Sequence, residues 1–88
     1  MDFLGNESQV EQFFKDDGSL KQIPAKQSKK IAVLKIIASS LEPNRRYSEK
    51  ELNQLIARFS DDTAAIRRHM IEFKILERNT ESIYWLSN

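Results

Sequence analysis

The chain has no cysteine, two glycines, two prolines and a single histidine among its 88 residues, and each shortage removes a class of chemistry. Without thiols there is no disulfide, no thiolate nucleophile and no cysteine-based zinc finger. Gly5 and Gly18 stand apart, so no glycine-rich phosphate loop can form. His69 has no second histidine to share a metal with and no nucleophile motif beside it. Long apolar runs are also missing. Ile31 to Leu34 and Ile36 to Ala38 fall far short of the ~20 residues that span a bilayer, and Met1-Asp2 opens no secretory leader. The expectation is a soluble, cytoplasmic protein with no membrane partner. It is not expected to be an enzyme: no catalytic residue, no metal and no cofactor is assigned.

What is present is enough for one core. Hydrophobic residues make up 40% of the sequence, and residues 1–88 are expected to fold as a single domain. Charge is nearly balanced at +1, but it is unevenly placed. Residues 1–17 sum to −4, residues 18–50 to +6 and residues 51–88 to −1. A basic middle can attract phosphate, and an acidic start can repel it or neutralise the middle. The balance permits nucleic-acid binding without arguing for it.

Periodicity supplies the elements. Ser8 and Glu11 make a capping box ahead of Val10, Phe13 and Phe14, which predicts an N-terminal helix over 7–16, closed by Asp16-Asp17-Gly18. Leu20 to Ile23 reads as a short extended stretch that Pro24 terminates. From Ser28 to Leu41 the chain is apolar on most of its circumference, which predicts a central helix stopped by Pro43. A second box, Ser48 to Glu51, precedes Leu52, Leu55, Ile56 and Phe59 at i, i+3, i+4 and i+7. After the Ser60-Asp61-Asp62 break, Ile66, Met70 and Phe73 repeat the same spacing and predict a fourth helix over 62–74. The tail then changes to β-formers on either side of Asn79 to Ser82, a hairpin over 76–86. Alternation in its last strand predicts that Ile83 and Trp85 close the core. Tyr84 and Leu86 would face the other way, packing under the first helix against Phe13 and Phe14 or else standing exposed as a protein contact.

Two short helices separated by a three-residue break, the second leading straight into a hairpin, predict a mainly α fold with a small C-terminal β-hairpin. It reads as a winged helix-turn-helix-like tri-helical core over 28–74 with an N-terminal helical extension. Arg46-Tyr47 would add a small strand, and 76–86 would form the wing. The chain also resembles a bacterial domain-of-unknown-function family found alone or joined to ArsR-type helix-turn-helix transcriptional regulators. The likeness runs through Asp17 to Lys26, Val33-Leu34, Arg45 to Asn53, Asp62, Ile66-Arg67-Arg68, Leu76-Glu77-Arg78 and Tyr84. It implies a winged-helix-like fold and an association with transcriptional regulation, and it implies no catalytic residue. Lys74 departs from the family's usual glycine. If that position is left-handed, lysine costs roughly 1 kcal/mol there.

Arg67 and Arg68 are the leading site candidates. Ile66 and Met70 face inward, so Arg67 is expected to project outward and Arg68 toward the flank, where guanidinium groups can grip guanine or phosphate. The competing reading pairs them with Asp61, Asp62, Glu72 or Glu49, which leaves them only solubilising the helix. Lys29 and Lys30 at the start of the long helix, with Arg45 and Arg46 beyond its far end, are the candidate phosphate contacts, or else a solvated surface. The expected function is a winged-helix domain of transcriptional regulation that binds duplex DNA through its fourth helix. The alternative is an interaction or dimerisation module, docking on itself or on a regulator protein, with no DNA binding of its own.

Overall fold

The chain reverses direction at Asp17-Gly18-Ser19 and enters a set of helices closed by a small sheet. A computed structural model describes residues 12–87. Among these the elements are α1 (Gln27–Ala38), β1 (Tyr47–Ser48), α2 (Glu49–Ile56), α3 (Thr63–Glu72), β2 (Leu76–Arg78) and β3 (Ile83–Leu86). Half of the helix expected over 7–16, its capping box included, lies outside the described residues. Residues 12–16 are not helical: they form a turn and an isolated bridge from Phe14 to Leu20. The Asp17 carboxylate accepts bonds from the Ser19 hydroxyl and amide at 2.7 and 2.9 Å, which hold its pKa below the ordinary value, the hydroxyl bond foremost. Gly18 adopts φ +90°, a conformation that glycine reaches without penalty. The stretch expected over Leu20 to Ile23 contracts to that one bridge, anchored where the Leu20 amide donates to the Phe59 carbonyl at 2.6 Å.

α1 is apolar nearly all round and lies at the centre, with Val33, Leu34, Ile37 and Ala38 buried. It ends at Ala38, not at Leu41. The Ser39 and Ser40 hydroxyls donate to the Ile36 and Ile37 carbonyls, and such local bonds compete with continued helix. Leu41 stays buried, and Asn44, left-handed at φ +64°, turns the chain toward β1.

α2 opens on the capping box read from the sequence. The Ser48 hydroxyl accepts from the Glu51 amide at 3.1 Å, and the Glu51 carboxylate accepts from the Ser48 amide at 3.0 Å. That backbone bond is the main reason the Glu51 carboxyl sits below its ordinary pKa. The Asp62 carboxylate caps α3 by accepting from the Ala65 amide at 3.1 Å. At the other end the Lys74 and Ile75 amides donate to the Ile71 and Met70 carbonyls at 3.0 and 2.8 Å. This is a Schellman closure, and Lys74 occupies its left-handed position at φ +62°. The condition attached to the missing glycine is met.

β3 is the middle strand of a three-stranded antiparallel sheet ordered β1-β3-β2, with Tyr84 opposite Tyr47 on one side and Arg78 on the other. The small first strand is Tyr47–Ser48, one residue later than expected. The Asn79 carboxamide accepts from the Glu81 and Ile83 amides, and left-handed Ser82 completes the hairpin turn. The predicted facing of β3 is reversed. Tyr84 is buried with Tyr47, Leu52, Ile56, Ile66, Met70 and Leu76, whereas Ile83 and Trp85 are half-buried. Alternation separates two faces, but the register with buried Tyr47 decides which one meets the helices. Among the described residues, no helix is long and apolar enough to cross a membrane.

Candidate functional site

α3 carries Ile66 and Met70 at 0% exposure on its inner face. At about 100° of rotation per residue, Arg68 stands roughly opposite that stripe and Arg67 stands on its flank. The expected directions are therefore interchanged: Arg68 is exposed, and the Arg67 side chain is 18% exposed, turned toward α2 and β3. The same angular projection could have assigned both from the sequence.

Arg67 is engaged on three sides. Its guanidinium donates to the Asn53 carboxamide oxygen, stands 3.8 Å from a Glu49 carboxylate oxygen and lies 5.9 Å from the centre of the Tyr84 ring, within cation–π range. The other Glu49 oxygen accepts from the Tyr84 hydroxyl at 2.8 Å. Glu49 is one of the carboxylates expected to compete for this arginine. Asn53 and Tyr84 carry no such signal in the sequence, because their approach depends on how α2 and β3 are placed.

Outside this cluster, α3 and the hairpin enclose an open groove of about 490 Å³ lined by Ala64, Arg67, Arg68, Ile71, Glu72, Arg78 and Tyr84. Arg78 enters from β2. It lies on the same strand face as buried Leu76, a period-2 relation that could have singled it out in the sequence. Among the described residues, neither the Arg68 nor the Arg78 guanidinium has an ion-pair or hydrogen-bond partner. Glu72, the one acid of the lining, lies 3.3 Å from the His69 ring nitrogen, and that ring stacks on Phe73. Two guanidinium groups from different elements, on the rim of a concave surface with an apolar floor, are suited to gripping an anion bidentately.

The remaining candidates lie elsewhere. Arg45 pairs with Glu42 at 3.0 Å and Glu51 at 3.7 Å and covers the Tyr47 ring. Arg46 stacks over Trp85 at 4.2 Å. Lys29 and Lys30 are half-buried in the first turn of α1. None of these four lines the groove. No three His, Cys, Asp or Glu side chains among the described residues are grouped to hold a metal ion.

A family model matches residues 19–86, that of the uncharacterized proteins conserved in bacteria designated DUF2087, and the chain belongs to this family. No curated protein and no solved structure matches the chain.

Proposed function

We propose that this DUF2087 member is a winged-helix domain that binds duplex DNA in bacterial transcriptional control, acting in the cytoplasm alone or with an ArsR-type regulator. α3 enters the major groove and the β2–β3 hairpin serves as the wing. The observation that carries the reading is the pair of guanidinium groups without a side-chain partner among the described residues, Arg68 from the helix and Arg78 from the hairpin, on one groove. Phosphate contacts of this kind fix a protein on the duplex, and an outward arginine on such a helix can also reach guanine O6 and N7. The element order supports the fold by analogy, and the function rests on the site. Asp61 and Asp62 at the start of α3, and Glu72 in the groove lining, moderate the affinity. Lys29, Lys30, Arg45 and Arg46 are at most peripheral phosphate contacts.

The test is a titration of random-sequence duplex at several salt concentrations. Binding should weaken steeply with salt. Joint replacement of Arg68 and Arg78 by alanine should flatten the logarithmic salt slope by about 1.8, roughly 0.9 for each phosphate no longer neutralised. Absence of salt-sensitive binding, or an unchanged slope in the double variant, overturns the proposal.

A second reading rests on Ile36, 41% exposed on α1 and the one large hydrophobic so exposed among the described residues. It would make the chain a dimerisation or regulator-docking module. A dimer by sedimentation that is indifferent to duplex would favour it.

A further inference from the structure

From the cluster beneath the groove we infer that Arg67 is a positioning residue: it sets the rotation of α3 so that Arg68 and Arg78 present themselves to the same ligand strand. This rests on the duplex-binding reading above.

The inner stripe of α3 is apolar, and apolar contact is non-directional. Ile66 and Met70 hold the helix down without fixing its rotation closely. The bonds made by Arg67 are directional. Its planar guanidinium meets Asn53 and Glu49, which lie one turn apart on the same side of α2, and faces the Tyr84 ring on β3. Tyr84 in turn bonds Glu49 through its hydroxyl at 2.8 Å and is the register partner of Arg78. One clamp therefore links the helix that bears Arg68 to the strand pair that bears Arg78. Because Arg67 adjoins Arg68 in sequence, loosening the clamp lets α3 sample rotations in which Arg68 leaves the rim; the duplex must then select the aligned rotation, which lowers affinity while the bound complex keeps both phosphate contacts. A lysine at 67 has a single ammonium and cannot hold Asn53 and Glu49 in the same fork geometry.

Duplex affinity across a salt series separates positioning from contact. Arg67→Ala should weaken binding about five- to tenfold, the coupling expected between directly bonded neighbours, while its salt slope remains that of the unaltered protein. Arg67→Lys should not restore the affinity. Asn53→Ala is the companion variant if Arg67→Ala does not fold: Asn53 lies outside the groove lining and bonds the Arg67 guanidinium, so it removes one arm of the clamp without removing a charge from the groove. It should weaken binding in the same direction at unchanged slope. Arg68→Ala should flatten the slope by about 0.9. A similar flattening in Arg67→Ala, full rescue by lysine, or unchanged affinity in Asn53→Ala would overturn the inference while leaving the duplex-binding reading intact. If the unaltered protein shows no salt-sensitive binding, both fall together.

Discussion

The two faces of β3 each carry an aromatic ring beside an arginine, and the two pairs behave differently. On the inner face Tyr84 is 1% exposed, and Arg67 above it is also held by Asn53 and Glu49. On the outer face Trp85 is half-buried, and exposed Arg46 stacks on it at 4.2 Å with no carboxylate partner among the described residues. The shorter cation–π distance belongs to the pair whose contact stands alone, on the side where solvent reaches and screens the charge. An arginine beside a ring becomes a structural clamp when burial and directional acceptors surround it. Otherwise it is a cover over apolar surface.

The largest test of this contrast is truncation of the rings. Tyr84→Ala should cost about 3–5 kcal/mol in urea unfolding, and Trp85→Ala about 1–2 kcal/mol, since less of the indole leaves water on folding. Equal losses would erase the distinction between the faces. Next come the arginines. Arg67→Ala should cost about 1–3 kcal/mol by leaving Asn53 and Glu49 short of a partner, against about 0.5–1 kcal/mol or less for Arg46→Ala; the same melts report both. A smaller gain is expected from Lys74→Gly, which should raise stability by about 1 kcal/mol by relieving the left-handed lysine at the joint between α3 and the hairpin. A loss instead would mean that the lysine side chain contributes at that joint.

The smallest effect concerns the cap of α2, the helix that presents Glu49 and Asn53. Glu51 has its pKa lowered on folding, so its carboxylate stabilises the fold above the ordinary glutamate value of about 4.3, and that contribution fades as pH falls through the lowered value. Glu51→Gln should therefore show a shallower loss of stability with acid than the unaltered protein. Parallel acid profiles would remove the cap from the account.

Much of this arrangement was legible beforehand where the signal is local. The Ser48–Glu51 box, the Asp62 cap and the β-rich tail each rest on a few neighbouring residues, and all three are found. The left-handed condition at Lys74, which came from the resembled family's usual glycine and not from a local signal, is also met. Reading failed where a choice depended on distant elements. Tyr84 rather than Trp85 enters the core because β1 brings buried Tyr47 beside it. α1 ends early because serine hydroxyls compete for its last carbonyls, a local signal outweighed in the reading by the apolar run to Leu41. Arg78 shares a strand face with buried Leu76, which period-2 spacing shows in the sequence, but only the return of the hairpin over α3 makes that position part of the groove.

The sequence by itself determined the elements, their caps and the scarcity of reactive side chains, because helix period, capping and residue chemistry act over a few positions. Tertiary structure alone decided which arginines are spent and which stay open. Arg45 finds Glu42 and Tyr47 within three residues, but on α3 and the hairpin a guanidinium group is consumed when a carboxylate, an amide oxygen or a ring arrives from another element. For Arg67 those partners come from 14 or more residues away, whereas for Arg68 and Arg78 none arrives among the described residues.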